Sequence, residues 1–326
     1  MKVKSLLYTL LVIFFILTNN SFAKILPPGT GTQADVPSNL LILLDKSGSM
    51  GWRMQSAASL DYPQQTVVDS SGDIYIMQYY TRGVRKTFYA DGKPDTSWGN
   101  SGITGTSGTC KMYYPYGADV YNGVMYIPSL FNHYIVKIRQ SDGKCLGKIS
   151  LASNAYPRAV EIVNGRLYIT TNKGLYSSDI SSGSSKYCNV GSEFKYAYAL
   201  TSSDGYLYSA YNKRLYGGKI SNHCPTNVKN QQKGNIGWGS YGMDSDPNNP
   251  GVLYVMSYSN GRMIKYTVTW SGSTMSATRN WKKGKNKYGS VSTASNTYFY
   301  YPMGITFDDN NNRLIVSDYI NKAVQI

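Results

Sequence analysis

The distribution of hydrophobic and polar positions predicts a chain built mainly from short β-strands. From Tyr62 onward, short runs alternate apolar with polar side chains and end at Gly, Asn or Asp. Alternation with a period of two is typical of half-buried strands, and the residues that end these runs are typical of tight turns. The 31 tyrosines and 32 glycines of the 326-residue chain agree with this interpretation, because aromatic residues favour strands and glycine supplies turns.

The predicted strands recur as one unit that appears six times. Each copy opens with a short strand, crosses a tight turn into a second strand such as "GRLYIT", and continues into a third. In the first five copies a further turn leads to an outer strand. The copies begin at Tyr62, Tyr114, Tyr156, Tyr196, Gly239 and Tyr301. Four strands in about 40 residues describe a propeller blade, so we predict an all-β, six-bladed β-propeller.

The sixth copy contains three strands before the sequence ends at Ile326. An incomplete blade leaves an unpaired strand edge, which propellers avoid by closing the ring. The segment "LDKSGSMGWRMQ" aligns with "RQSDGKCLGKIS", the outer turn and outer strand of the second copy. We therefore expect residues 50–55 to supply the missing strand, so that an N-terminal strand closes the propeller.

The first residues have the composition of an export signal. A basic "MKVK" is followed by the apolar run "SLLYTLLVIFFILT" and by small residues before Lys24. This order predicts a secretory signal cleaved after Ala23. The alternative is an uncleaved anchor, although a membrane span needs about 20 apolar residues. The predicted domains are a signal peptide (1–23), an N-terminal segment (24–49) and the propeller (50–326). After cleavage we expect a protein without a stable membrane anchor that is secreted, periplasmic or at the cell surface.

The formal charge favours anionic partners. Lys and Arg number 33 against 18 Asp and Glu, which gives a net charge of +15. Such an excess attracts acidic glycans, nucleic acids or acidic protein surfaces. The alternative is a solvated basic surface that has no particular ligand.

The loops between the second and third strands carry the candidate binding residues. Five of the six loops contain Asn, and basic residues recur beside it. Equivalent positions of a repeat lie on one face of the ring, and loops of this kind often carry function. The candidates are Arg82, Asn132, His133, Lys173, Lys213 and Arg262, with Lys322 at the same position in the last copy. These blades resemble those of the NHL-repeat family, which includes binding scaffolds and a few lyases.

A second basic group lies in "RNWKKGKNKYGS", which we expect to form the long link before the sixth blade. Its candidate ligand-binding residues are Trp281, Lys282, Lys283 and Lys285. Cations attract phosphate or uronate groups, and aromatic rings stack on bases or sugars. The alternative is that these charges keep a tyrosine-rich β protein soluble.

The segment "NLLILLDKSGSMGW" combines an apolar strand with an Asp-x-Ser-x-Ser motif. It resembles the opening of a von Willebrand factor A domain, and with its flanking residues the start of PilY-family type IV pilus adhesins. The resemblance implies a site for Mg²⁺ or Ca²⁺ at Asp45, Ser47 and Ser49, since hard cations take oxygen ligands. It also implies pilus components as partners. The remainder of an A domain is missing from this sequence, and two explanations are open: it follows Ile326 in a longer chain, or it has been lost. The alternative to a cation site is a hydrogen-bonded turn formed by the same residues.

Four cysteines in an exported chain predict disulfides. No pair has the CxxC spacing of a zinc site. Three pairings are open, and the simplest is sequential: Cys110 with Cys145, and Cys188 with Cys224. Direct pairing of neighbouring outer strands could be strained, because such strands diverge at the rim of a propeller.

Catalysis has little support in the sequence. The chain contains two histidines, too few for the metal site of the propeller lyases that this fold resembles. Asp61, Asp119 and Asp244 near the first strands could line the axis, although nothing pairs them for acid–base work. We therefore expect a non-catalytic, adhesin-like or pilus-associated binding protein. The alternatives are a secreted propeller lyase or hydrolase, and a purely structural envelope scaffold.

Overall fold

A computed structural model describes residues 60–88, 92–183, 185–232, 236, 239–286 and 298–325. Five four-stranded antiparallel sheets follow one another along the chain, each with its strands in sequence order. Blade 1 comprises β1 (Pro63–Val68), β2 (Ile74–Gln78), β3 (Gly83–Thr87) and β4 (Ile103–Thr104). Blade 2 comprises β5 (Asp119–Tyr121), β6 (Val124–Ser129), β7 (Tyr134–Arg139) and β8 (Cys145–Ser150). Blade 3 comprises β9 (Pro157–Val163), β10 (Arg166–Thr171), β11 (Leu175–Asp179) and β12 (Ser185–Cys188).

The second half of the chain continues the same pattern. Blade 4 comprises β13 (Leu200–Ser203), β14 (Tyr206–Tyr211), β15 (Arg214–Ser221) and β16 (Cys224–Gln232). Blade 5 comprises β17 (Ser240–Ser245), β18 (Val252–Ser257), β19 (Arg262–Ser271) and β20 (Thr274–Lys283). A parallel pair, β21 (Lys285–Asn286) and β22 (Tyr298–Phe299), precedes blade 6, which comprises β23 (Pro302–Asp308), β24 (Arg313–Asp318) and β25 (Ala323–Gln325). Two 3₁₀ turns, Gly108–Cys110 and Leu130–Asn132, complete the described elements.

The predicted all-β, six-bladed propeller is confirmed. Blade 6 packs against blade 1. At their junction, Gln65 Nε2 donates a hydrogen bond to the Ile305 carbonyl at 3.1 Å. The hydroxyl groups of Thr66 and Thr306 lie 2.8 Å apart at the same junction. Contacts of this kind between the first and last blades close the ring. The expected closing strand at residues 50–55 lies outside the described residues.

The core consists of apolar layers between neighbouring blades. Every residue of β2 and β18 is buried, which explains why the second strands are nearly continuous apolar runs. Between blades 1 and 2, for example, Tyr75 and Trp98 pack with Met112 in one cluster. Each blade therefore depends on its neighbours for burial, as in other repeat architectures.

The first strands meet closely around the axis. The position three residues after each blade start holds Gly or Ala in five of the six copies: Gly117, Ala159, Ala199, Gly242 and Gly304. At Gly242 a Cβ atom would stand 2.7 Å from the Met303 carbonyl oxygen of the next blade. Small residues at this position allow adjacent backbones to approach, which is one use of glycine in strands.

The basic segment at residues 279–283 is not a link, and that expectation was wrong. These residues belong to β20, which pairs along its length with β19. Apolar side chains explain the extension, since Met275 and Ala277 are buried in the layer between blades 4 and 5. In blade 1 a long connection separates β3 from the outer strand β4, which begins at Ile103.

The structure joins Cys110 to Cys145 and Cys188 to Cys224, which is the sequential pairing. The second bridge connects the outer strands of blades 3 and 4 with a Cα–Cα distance of 5.5 Å. This distance lies in the ordinary range for a disulfide, so the rims of these blades approach closely enough to be linked. Two disulfides indicate an oxidising compartment. No helix within the described ranges is long and apolar enough to span a membrane.

Candidate functional site: an aromatic and basic face around the axis

The strand order assigns every connection to one of two faces. We call the face that carries the blade starts and the loops between second and third strands the loop face. The opposite face, here called the hairpin face, carries the turns between first and second and between third and fourth strands. Because consecutive strands are antiparallel, residues at equivalent turns of all blades share a face.

Tyrosines at the blade starts have an unusual backbone conformation. The φ angles of Tyr62, Tyr114, Tyr196 and Tyr301 are 53°, 54°, 63° and 54°. A bulky residue in this left-handed region costs of order 1–3 kcal/mol and persists where its surroundings determine it. Four copies have a tyrosine there rather than a glycine, which indicates that the tyrosine side chains have a role of their own.

These side chains form a connected cluster on the loop face. We define the tyrosine cluster as Tyr62, Tyr79, Tyr80, Tyr114, Tyr116, Tyr198, Tyr241, Tyr258, Tyr301 and Tyr319. Its ring centroids are linked at distances from 4.2 Å (Tyr79 to Tyr114) to 6.0 Å (Tyr79 to Tyr319). Tyr116 of blade 2 meets Tyr198 of blade 4 at 4.8 Å although blade 3 lies between them in the ring. The cluster therefore converges on the axis.

Cations lie against the rings at the edge of this cluster. Lys322 Nζ is 4.4 Å from the centroid of Tyr62, and Arg82 Cζ is 5.4 Å from that of Tyr114. His133 packs on Tyr156 with ring centroids 4.7 Å apart. In each case a loop residue of one blade contacts the aromatic residue that begins the next blade, and Arg82 lies nearer still to the adjacent Tyr113, at 4.3 Å from its centroid. Cation–π attraction of this kind contributes about 0.5–1 kcal/mol at exposed sites.

The structure separates the predicted binding residues into two groups. Arg82 and His133 join the aromatic face, and Lys173 is exposed in the equivalent loop of blade 3. The asparagines serve the loops instead. Asn132 donates to the Lys111 carbonyl at 3.1 Å, and Asn212 and Lys213 both have positive φ, as a type I′ hairpin turn requires.

The remaining predicted residues belong to blade 5 and the segment after it, with Arg262 at the loop between the second and third strands on the loop face and the others on or after the outer strand β20. Arg262 begins β19, and Lys282, Lys283 and Lys285 are exposed near the end of β20 and in β21. Trp281 packs at 6.1 Å from the Tyr254 ring and against the layer between blades 5 and 6. Trp281 therefore packs against the blade, and its role as a stacking platform for ligand stays a prediction.

Sequence reasoning missed the residues nearest the axis. Tyr116, Arg158, Tyr198 and Tyr241 each stand two positions after a blade start. Arg158 is half-buried, with Cζ 4.3 Å from the Tyr198 centroid and 5.3 Å from the Tyr196 centroid. Burial lowers the pKa of the Arg158 guanidinium from its usual value. Aligning the six copies at this position would have found all four residues.

Below the tyrosines, a cavity of about 190 Å³ lies between the first strands. Asp119, Glu161 and Asp244 line it, each five positions after a blade start. Asp119 and Asp244 were expected near the axis, whereas Glu161 was missed. Asp61, which was also expected there, lies on the loop face, where it accepts a hydrogen bond from the Thr81 hydroxyl at 2.8 Å.

Each of these three carboxylates bonds to the following blade in the ring. Asp119 accepts from the Ile162 backbone N–H at 2.6 Å, and Asp244 accepts from that of Phe307 at 2.8 Å. Glu161 accepts from the Ser202 hydroxyl at 2.6 Å. The carboxylates therefore cross-link successive first strands. Within the described ranges, no group of three His, Cys, Asp or Glu residues could hold a metal ion.

Burial makes these carboxyl groups unusually weak acids. It raises the pKa of Asp244 to about 7 and that of Asp119 to about 6. The pKa of Glu161 is also raised, first by burial and then by repulsion from Asp119. Carboxyl groups with such values are neutral over a wider pH range than ordinary ones.

We expect the protein to be more stable at pH 5 than at pH 8. A raised folded-state pKa gives stability that is fully present below the unfolded pKa of about 4 and is lost as pH rises through 6 to 7. Each pKa unit corresponds to about 1.4 kcal/mol, and the high effective dielectric of protein interiors reduces the effect, so we expect a total of about 2 kcal/mol. Urea unfolding at the two pH values measures it.

Two variants locate the source of this pH dependence. Asp244→Asn should flatten the slope of stability against pH, because it removes a titrating group at the axis. Ser141→Ala, at an exposed turn of the hairpin face, should leave the slope unchanged, because it removes no titrating group. Equal stability of the unmodified protein at pH 5 and pH 8 would contradict the prediction.

The candidate cation ligands Asp45, Ser47 and Ser49 lie outside the described residues. The Mg²⁺ or Ca²⁺ site therefore stays a prediction, as do the signal peptide and the A-domain resemblance.

No protein-family model matches the chain, and no curated protein sequence matches it. Among solved structures, a streptogramin B lyase is similar with a TM-score of 0.54 and 13% identity over 83% of this chain and 80% of that one. Virginiamycin B lyase from Staphylococcus aureus gives 0.53 and 13% over 82% of this chain and 96% of that one. Hydrazine synthase from Kuenenia stuttgartiensis gives 0.54 and 13%, covering 81% and 83%. At this identity the similarity shows the propeller fold alone.

Proposed function

We propose that this protein is an exported, non-catalytic binding module that holds an acidic glycan on its loop face. The observation that carries the proposal is the tyrosine cluster with cations at its edge. Aromatic rings offer flat surfaces for sugar rings, and the hydroxyl groups of tyrosine provide hydrogen bonds at the same place. Arg82 and Lys322, already positioned over rings, supply attraction for carboxylate or sulfate groups.

The distribution of acidic residues supports an anionic ligand on this face. Among the 15 described Asp and Glu residues, three lie on the loop face. One of them, Asp318, is buried, and burial raises its pKa to about 7. Asp61 and Glu193 are the other two. The remaining described acids line the axis or the hairpin face, so few described carboxylates oppose the cations beside the tyrosines.

An adhesin-like role follows if the module is displayed at a cell surface. The disulfides agree with an oxidising location, and surface glycans are ligands available there. Association with type IV pilus components extends this proposal through the N-terminal resemblance. A cation held by Asp45, Ser47 and Ser49 would then be a second contact, separate from the loop face.

Binding to an acidic polysaccharide should weaken strongly with salt and with charge reversal on the loop face. We expect the double variant Arg82→Glu/Lys322→Glu to bind at least tenfold more weakly, because two attractive cations become repulsive. Calorimetric titration with alginate at low and at physiological ionic strength measures both effects. Screening over about 8–10 Å predicts weaker binding at the higher ionic strength.

The matched control reverses charge on the opposite face. Lys144→Glu lies at an exposed turn of the hairpin face and should keep the affinity of the unmodified protein. No binding at low ionic strength would overturn the proposal. Shortened polysaccharide recovered after incubation would favour the second candidate, a lyase or hydrolase that uses the weakly acidic carboxyl groups of Asp119, Glu161 and Asp244.

A further inference from the structure

We infer that Arg158 and the tyrosines around it form a subsite for the carboxylate of a single uronic acid residue. This inference rests on the proposed function and names its specificity-determining contact. It assigns Arg158 the role of pairing with the carboxylate, and assigns the tyrosine walls the role of packing against the sugar ring.

We use the word cup for the space beside the Arg158 guanidinium, on the loop face near the axis. Arg158 lies at the start of β9, between Tyr196 at the exposed edge and Tyr198 nearer the axis. Tyr198 contacts both Tyr116 and Tyr241, with centroids 4.8 and 4.5 Å apart. Tyr196 is 39% exposed, so the cup opens to solvent beside the guanidinium.

Arg158 is a charge buried without an acidic partner. Its Nε atom is buried and has no hydrogen-bond partner among the described residues, and burial lowers its pKa. Among the described residues, two other largely buried cations are paired with acids, whereas the strand residue Arg85 is not. Lys86 Nζ lies 3.0 Å from Asp73, and Arg313 Nε lies 2.6 Å from Asp308. A half-buried guanidinium without such compensation is costly to the fold, which is expected where a ligand supplies the missing anion.

A carboxylate on a ring fits this cup better than a nucleic acid does. The planar guanidinium fork binds a carboxylate through two parallel hydrogen bonds. One cation enclosed by aromatic walls accommodates one anionic group and one ring. Single-stranded nucleic acids instead use a groove of cations that tracks successive phosphates, whereas Arg158 is one cation between two rings.

Arg85 provides the matched control. Its Nε atom is also buried without a partner, and burial lowers its pKa as well. It stands in the middle of β3, paired with Ile76 and Ile103, rather than at a blade start of the loop face. Arg85→Gln therefore repeats the chemical change at a site that we do not assign to ligand.

The experiment compares oligogalacturonate with its methyl ester and with a single-stranded oligonucleotide, by calorimetric titration of the folded protein. We expect Arg158→Gln to weaken binding of oligogalacturonate at least tenfold and to leave the weaker binding of the ester unchanged. Arg85→Gln should bind both sugars normally. Arg158→Lys should bind oligogalacturonate almost as weakly as Arg158→Gln does, because an ammonium group lacks the planar fork of a guanidinium. The melting temperature of Arg158→Gln should equal or exceed that of the unmodified protein, since an uncompensated charge is removed.

The outcomes separate this inference from the proposed function. Unchanged binding of oligogalacturonate by Arg158→Gln would overturn the subsite and leave the acidic-glycan function standing. Failure of the unmodified protein to bind any acidic sugar would overturn both. Tighter binding of the oligonucleotide, lost in Arg158→Gln, would overturn the assignment of a uronic acid. A large fall in melting temperature for Arg158→Gln would show a structural role and also count against the subsite.

Discussion

Replacing Gly242 by alanine is expected to lower the free energy of unfolding by about 3 kcal/mol, the upper part of the range for overpacking a well-filled interior. The new Cβ would stand 2.7 Å from both the Ile305 nitrogen and the Met303 carbonyl oxygen, and 2.8 Å from the Gly304 Cα. All three atoms belong to the backbone of blade 6, so no side-chain rotation relieves the contact. The junction between blades 5 and 6 must open instead.

Gly117 offers a control at the same position of the repeat. A Cβ there would meet its nearest atoms, the Ala159 Cα and the Arg158 carbonyl oxygen, at 3.6 Å, which is an ordinary contact. Alanine also restricts the unfolded chain more than glycine, an effect worth about 0.4–1 kcal/mol in favour of the folded state. We expect Gly117→Ala to match or slightly exceed the stability of the unmodified protein.

Urea unfolding of the two variants tests how tightly the ring is closed. Similar stabilities for Gly242→Ala and Gly117→Ala would mean that the first strands tolerate separation at both junctions. Ala already occupies this position in blades 3 and 4, so some junctions of the repeat accommodate a Cβ atom there.

The fold could be predicted from the sequence because the information that specifies it is local and repeated. Strand alternation, hairpin turns such as Asn212-Lys213 and a blade-length period each appear several times. Agreement among six copies makes the prediction stronger than any single motif. The extension of β20 through residue 283 was missed because its lysines are typical of a loop. These residues are nevertheless in a strand, because they pair with β19.

The candidate site was only partly predictable, for a physical reason. Arg82 and His133 were predicted because loops can be recognised in a sequence from their turn residues and charges. Arg158, Glu161 and Tyr241 lie within first strands, and Tyr116 and Tyr198 lie shortly before them. In such apolar stretches, sequence alone indicates a core position for an aromatic residue. Their convergence depends on ring closure, which brings residues from non-adjacent blades together, as with Tyr116 and Tyr198.

The two disulfides should contribute strongly to stability. Cys110 and Cys145 are 35 residues apart, and Cys188 and Cys224 are 36 residues apart. Cross-links that close loops of this length reduce the entropy of the unfolded chain, which corresponds to about 4 kcal/mol per bridge. We therefore expect Cys188→Ala/Cys224→Ala to lower the melting temperature by about 10 °C.

The bridge between Cys188 and Cys224 should also affect how cooperatively the propeller unfolds. It is the link between the rims of blades 3 and 4, while the bridge at Cys110 lies within the approach to blade 2. Without the rim link, the layer between blades 3 and 4 depends on apolar packing of residues such as Phe194 and Leu207. Hydrogen exchange should then show earlier opening of β12 and β16 than of blade 5. The same double variant and the chemically reduced protein should behave alike at this junction. Equal melting temperatures with and without reductant would show that the ring needs neither bridge, and would remove the stability argument for folding in an oxidising compartment.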